Sequence, residues 1–269
     1  MASMAASEGS VRLLQEQDIT VAAELSAEAG WNQTRDDWRM LLRMNPESCF
    51  GIDAGGRLVS TATLVCYGLK LGWIGMVLTN LNYRRRGFAR TLLRHAIKHA
   101  DEFGIECLKL DATDQGQPIY ESLGFRVEQP VERWWRAAVD RTGNFQPSLY
   151  SFAGDLAAYG VDRSQLLQNL MERGTICARG DGVCLSRPGR VANYIGPCVS
   201  RSAQLARQLI ESCASAASYW DLLPQNQTAL ALATELGFTP QRKLIRMVRG
   251  KDLRGREDWL YAIAGFELG

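Results

Sequence analysis

The chain has 269 residues, close to twice the usual domain length of about 150, so one large domain or two ordinary ones are expected and a short peptide module is excluded. Its 31 Lys and Arg stand against 29 Asp and Glu for a net charge of +2, and 46% hydrophobic with 22% charged residues is an ordinary globular balance, which argues against disorder and against a nucleic-acid partner. No run approaches the roughly 18 apolar residues of a membrane span, and the opening MASMAASEGS lacks both a basic and an apolar signal region, so a cytoplasmic protein without a membrane partner is expected.

Residues 11–14 form a short apolar run that reads as a strand. Ile19, Ala22, Ala23, Leu25 and Ala29 then carry helical spacing up to Gly30. Thr34 with Asp37 three positions on resembles a capping box, and Trp38, Leu41 and Leu42 supply the apolar stripe of a second helix that Asn45-Pro46 ends. Three antiparallel strands follow at 49–53, 57–67 and 71–81, the first two joined by Ala54-Gly55-Gly56. Leu92, Leu93, Ala96, Ile97 and Ala100 mark a helix closed by Gly104. Residues 105–110 read as a buried strand and 118–123 as a short helix ending at Gly124-Phe125, with a further strand carrying Trp134 and Trp135.

The second half repeats this order from its own hairpin onward: strands at 175–178, 183–186 and 191–196, a helix at 202–217, a strand at 218–222 and a helix at 226–236 ending at Gly237-Phe238. Gly124 and Gly237 are 113 positions apart, a domain length, which points to a duplicated domain. The boundary is expected at 140–147, where turn-forming residues cluster, giving domains at 1–140 and 145–269.

Seven Cys at 49, 66, 107, 177, 184, 198 and 213 include no C-x-x-C pair and mostly lie in apolar runs, so they read as reduced, buried small hydrophobes. His95 and His99 share a helix face without an HExxH carboxylate or a third ligand, and no metal is expected.

One segment carries specific chemistry. After the 71–81 strand the chain reads Arg84-Arg85-Arg86-Gly87-Phe88-Ala89-Arg90 and enters a helix. A glycine-bearing turn that opens a helix aims backbone N–H groups and the positive helix end at one point, which suits a pyrophosphate. Gly87 allows close backbone approach, Ala89 leaves the helix start open, and the arginines add charge-assisted bonds.

This loop resembles the R/Q-x-x-G-x-G/A motif of the GCN5-related N-acetyltransferase (GNAT) superfamily, with Arg84, Gly87 and Ala89 at its three defined positions. The resemblance covers about residues 10–135. It includes Tyr120-Glu121-Ser122-Leu123-Gly124-Phe125, similar to the Y-x-x-x-G-F signature. W-N-Q-T-R-D-D-W at 31–38, W-I-G-M-V at 73–77 and K-L-D-A-T at 109–113 look like a tandem bacterial subgroup with a divergent second domain.

The resemblance implies an α/β (α+β) fold of two GNAT-like domains, each a mixed, mostly antiparallel sheet flanked by helices. It implies transfer of acetyl from acetyl-CoA to a small-molecule or peptide amine by direct attack. The cofactor would meet Val77, Leu78 and Thr79 on splayed strand backbone, the loop residues Arg84, Arg85, Arg86, Gly87, Phe88, Ala89 and Arg90, and Thr113, where many members carry Asn. Tyr120 would protonate the departing thiolate. No Glu lies on the 71–81 strand to act as base. Asp111 is the candidate, with strand-end hydrogen bonding as its other reading, and Glu24 and Glu28 are alternatives. Trp31 and Asn32 lie in the loop that borders the acceptor site in this superfamily, while Trp31 and Trp38 read equally as core anchors.

The second half lacks the loop: its matching segment is Gly196-Pro197-Cys198-Val199-Ser200-Arg201, and Ala233 stands where Tyr120 does, although Asn226 keeps the Asn. Catalysis is therefore expected in the first half, with a structural or acceptor-shaping second copy. A non-catalytic acyl-CoA-binding or ligand-sensing protein is the alternative from another class, and a longer acyl group the alternative within enzymes.

Overall fold

The computed structural model describes residues 9–139, 151–214 and 216–269. The expected boundary at 140–147 and position 215 of the expected 202–217 helix lie outside the described residues.

The first half follows the expected order: β1 (Val11–Leu13), α1 (Ile19–Glu28), α2 (Arg35–Met44), β2 (Cys49–Ala54), β3 (Arg57–Tyr67), β4 (Leu71–Thr79), α3 (Phe88–Glu102), β5 (Cys107–Ala112), α4 (Gln117–Glu121) and β6 (Arg126–Arg136). The capping box closes in both directions, since Thr34 Oγ1 accepts from Asp37 N at 3.2 Å and Asp37 Oδ2 accepts from Thr34 N at 2.7 Å. β4 stops at Thr79 because Asn80 accepts from Asn82 N and caps a single 3-10 turn, Leu81–Tyr83.

Two helices that the sequence pattern does not reveal, α5 (Ala153–Tyr159) and α6 (Ser164–Met171), open the second half. Each has about two turns, too short for a clear period, yet Leu166, Leu167 and Leu170 of α6 are buried in one cluster with Met40 and Leu41 of α2. Then come β7 (Thr175–Arg179), β8 (Gly182–Arg187), β9 (Asn193–Val199), α7 (Ala203–Cys213), β10 (Ser218–Leu222), α8 (Gln227–Glu235), β11 (Thr239–Gly250) and β12 (Leu260–Ala262).

Among the described residues twelve strands join one sheet in the order β1-β2-β3-β4-β5-β11-β6-β10-β9-β8-β7, with β12 on β9. Among these strands β4–β5 and β9–β10 pair in parallel and the other pairs are antiparallel. The centre of the sheet is an exchange. β11 of the second half lies between β5 and β6, matching Ile245 to Ala112 and Gly250 to Cys107, while β6 of the first half pairs with β10, matching Trp134 to Trp220. Each half thus completes the sheet of the other.

Alternation along the strands separates two layers. Leu64, Ile74, Leu108 and Leu110 face α3, which buries Leu93, Ile97 and Ala100 there. Val65, Trp73 and Cys107 face the opposite side, where α1, α2, α6 and the 263–269 segment pack around Trp38 and Trp73. A buried chain of charges crosses between halves on that side: Arg173 to Asp37 at 3.1 Å, Asp37 to Arg187 at 3.3 Å and Arg187 to Glu267 at 2.8 Å. All seven thiols are free, and all but Cys66 are buried. Burial pushes the Cys49 thiol up to about 12. His95 and His99 both stack edge-on against Phe50, at 4.7 and 5.5 Å. Among the described residues no cluster of three or more His, Cys, Asp or Glu could hold a metal, and no helix is long and apolar enough to cross a membrane.

Candidate active site

The site begins with a break in β4. Register shifts by one residue between Thr61↔Leu78 and Thr63↔Gly75, and Met76 takes a left-handed φ of +49° at this bulge. Such a backbone is strained by about 1–3 kcal/mol for a residue with a Cβ. Hydroxyls on β3 hold it: Thr61 Oγ1 donates to the Met76 carbonyl at 2.8 Å and Ser60 Oγ to the Leu78 carbonyl at 2.7 Å. Next to the bulge, the parallel β4–β5 ladder runs only from Leu71↔Cys107 to Trp73↔Lys109. Beyond it the strands part, and a cavity of about 660 Å³ opens between them.

Ile74, Leu93, Leu110 and Ile119 line this cavity from the α3 side, and Gly75, Arg133, Phe266 and Glu267 line it from the other side. The opening therefore passes through the sheet. Gly75 allows the tail to approach, because a Cβ there would stand 2.9 Å from the Glu267 carbonyl oxygen.

The loop after β4 forms one rim. Arg85 and Gly87 both have left-handed φ, +63° and +85°, and Gly87 is the N-cap of α3. Alternation of this kind turns successive N–H groups to one side. Gly87 supplies no side-chain cap, so the first-turn N–H groups of α3 stay available. A Cβ on Gly87 would meet nothing within 4 Å.

Of the residues expected from sequence, Val77, Leu78, Thr79, Arg84, Arg85, Gly87, Phe88, Ala89, Arg90, Thr113 and Tyr120 line this one cavity, together with Trp31. Arg90 is steadied by donating to Ser122 Oγ at 3.0 Å. Tyr120 is half-buried, packs edge-on against Phe125 at 6.1 Å, and has its phenol pushed up to about 12 by desolvation. It therefore stays protonated at neutral pH. Thr113 uses its hydroxyl to accept from Gly116 N at 3.2 Å, which starts α4.

Four expectations need correction. Arg86 is not among the lining residues: it donates to the Asn82 carbonyl at 3.3 Å and lies over the ring of Tyr83, itself on the cavity wall, at 4.8 Å. Asn32 is a clip between halves: its Nδ2 donates to the Ala192 carbonyl at 2.8 Å, and its Oδ1 accepts from Val191 N at 2.7 Å and Ala192 N at 3.2 Å. Asn32 is buried and is not among the residues lining the cavity. Asp111 lines the cavity, but its carboxylate is 0% exposed and held by Arg246 through bonds of 2.9 and 3.1 Å. Burial raises its pKa against the pull of Arg246, so the carboxylate is committed to that pair. Glu24 and Glu28 stand outside the cavity on the α1 surface, bonded to Arg57 at 2.9 Å and Asn80 at 3.0 Å.

Sequence reasoning missed Gln33, Arg133, Arg242, Leu244, Phe266 and Glu267, all on the cavity wall. Only Gln33 lies in a segment that carried a signal.

The second half has a comparable parting of β9 and β10 after Ile195↔Trp220, and the chain itself fills it. β12 pairs with β9 at Val199↔Leu260, and Ile263 N donates to the β10 carbonyl of Asp221 at 2.9 Å. The helix that follows is closed, since Ser202 accepts from Leu205 N at 3.3 Å. Asn226 caps α8 through Ala229 N and reaches the Leu260 carbonyl at 3.0 Å, and Ala233 is core.

An acyltransferase fold used twice, with one open cleft and one plugged by the chain, is the class that these features define. The chain belongs to the GNAT superfamily in tandem form: the acetyltransferase (GNAT) family model matches residues 15–125 and the acetyltransferase (GNAT) domain model matches 152–262. It is 29% identical over 222 residues to the uncharacterized N-acetyltransferase YitH of Bacillus subtilis (strain 168), covering 75% of this chain and 77% of that one. A crystal structure of a candidate acetyltransferase from Pyrococcus horikoshii matches with a TM-score of 0.88 and 21% identity over 100% of this chain and 99% of the other. A tandem GNAT protein from the clavulanic acid biosynthesis pathway matches at 0.59 and 16% identity over 90% and 98%. These two structures share the fold.

Proposed function

We propose that this protein is an acetyl-CoA-dependent N-acetyltransferase acting on an amine by direct attack, with chemistry in the first half. The observation that carries this reading is the convergence of the β4 bulge, the uncapped α3 N-terminus and Tyr120 on one cavity. The residues fit the cofactor: first-turn N–H groups beside Arg84, Arg85 and Arg90 match a pyrophosphate, and the empty space where a Gly87 Cβ would lie leaves room for it.

When bound, acetyl-CoA supplies an acetyl thioester, whose thiol leaving group has an ordinary pKa near 8.5. Val77, Leu78 and Thr79 offer backbone groups along the parted edge of β4, and an N–H at Leu78–Thr79 polarises the acetyl carbonyl. Tyr120 holds a proton for the leaving sulfur. We divide the labour at the expected 140–147 boundary, with 1–140 binding the cofactor and 145–269 walling the acceptor end through β11 and the 263–269 tail.

Calorimetric titration with coenzyme A, followed by thiol release from acetyl-CoA over a broad amine panel, tests the reading. Absence of coenzyme A binding overturns it. Binding without turnover on any amine favours a ligand sensor.

A further inference from the structure

The acceptor end of the cavity holds capacity that acetyl transfer by itself does not explain. Arg242 on β11, in register with Arg133, lines the cavity half-buried, and its guanidinium has no hydrogen-bond or ion-pair partner among the described residues. The carboxylate on the same rung, Asp221, is taken by Arg133 through bonds of 2.7 and 2.6 Å. Burial and the like charge of Arg133 both push the Arg242 pKa down, so the site disfavours this cation as it stands.

The same wall holds two oxygens without donors, Oε2 of Glu267 and Oε1 of Gln33, on side chains of residues only 3% and 4% exposed. Glu267 is fixed from behind, its Oε1 accepting from Arg187 at 2.8 Å, with the Arg187 Nη1 anchored on the Ala264 carbonyl at 2.6 Å. A buried acceptor without a donor is costly, and an unpaired cation in a desolvated site calls for an anion. All three groups line one cavity, and a small molecule bearing both a carboxylate and an amine carries the chemical complement of each.

We propose that the acceptor is an amino acid, its carboxylate bound by Arg242 and its amine by Glu267 and Gln33. For the reaction this rests on the acetyl-transfer reading; for binding it stands apart from it. A carboxylate on the acyl group would also suit Arg242, but the unmet acceptor oxygens on the same cavity wall call for N–H donors, which the amine provides. An amine bound as ammonium loses two protons. Glu267 takes the first and passes it to solvent, and the second, released as the C–N bond forms and the C–S bond breaks, replaces the one that Tyr120 gives to sulfur.

The test titrates the full chain, with and without coenzyme A, against the twenty amino acids and their decarboxylated counterparts. At least one amino acid should bind roughly 10- to 100-fold tighter than its bare amine, the effect of one charge-assisted pair in a desolvated site. Arg242→Met should erase that preference while leaving coenzyme A affinity unchanged, and Glu267→Gln should weaken the amine while keeping the preference. No preference for the carboxylate, or a preference intact in Arg242→Met, overturns the proposal. So does Arg242-dependent use of succinyl-CoA with bare amines, which would assign the guanidinium to the acyl group. Amino-acid binding without coenzyme A binding sinks the acetyl-transfer reading alone, and coenzyme A binding with no amino acid bound sinks this one alone.

Discussion

Gly87→Val should separate the cofactor cradle from the fold. Gly87 sits at φ +85°, and a Cβ added there would meet nothing within 4 Å, so the variant meets backbone strain but no clash. A left-handed residue with a Cβ costs about 1–2 kcal/mol, more when β-branched, which for a chain of this size lowers Tm by roughly 2–8 °C. The isopropyl group then occupies the space in front of the first-turn N–H groups of α3. Each hydrogen bond to a charged acceptor contributes about 1.5–3 kcal/mol, so losing two weakens coenzyme A by about 3 kcal/mol or more, on the order of 10²-fold. Gly87→Ala carries less strain and a smaller side chain and should lose less affinity, with a smaller fall in Tm. Calorimetry with coenzyme A beside thermal melts reads both quantities. Wild-type affinity in Gly87→Val, or equal affinity losses in the two variants, would refute the placement of the pyrophosphate at this turn.

Tyr120→Phe should lower kcat by roughly 10² with little change in coenzyme A affinity, because the hydroxyl acts as the sulfur leaves; equal turnover would return Tyr120 to a packing role. Since burial holds that phenol at about 12, above the ordinary value of 10, the donor stays protonated as pH rises through 10, and thiol release should show no loss from this group below that pH. Asn32→Ala removes three hydrogen bonds that join the halves and should cost about 2–4 kcal/mol of stability in denaturant melts while coenzyme A affinity holds. A shift in acceptor KM without loss of stability would restore Asn32 to the acceptor site. One coenzyme A should bind per chain, at 84–90, because β12 fills the second cleft; two equivalent sites in a titration would contradict this. A fragment of residues 1–141 should be poorly soluble or inactive, since it lacks the β11 strand that covers β5 and β6, and a soluble fragment with full activity would defeat that expectation.

The Arg84 to Arg90 turn, the Thr34–Asp37 cap and the α3 stripe are all legible in the sequence for one reason. A turn, a cap or a helix face is built from residues within a few positions of each other, so local chemistry determines it. The order of strands and helices in the first half follows in the same way. Tertiary structure alone decides what depends on distant partners. Strand alternation says which face Asp111 and Arg246 occupy, not that register will bring them together across 135 positions and seal the carboxylate expected to act as base. Asn32 meets Ala192 across 160 positions, and no pattern near Trp31 announces it. The exchange of β6 and β11, the filling of the second cleft by β12 and the delivery of Arg242 and Glu267 to the acceptor wall are likewise matters of pairing between halves. Periodicity specifies how a strand presents its side chains; which neighbour it meets is set by the long-range fit of the whole sheet.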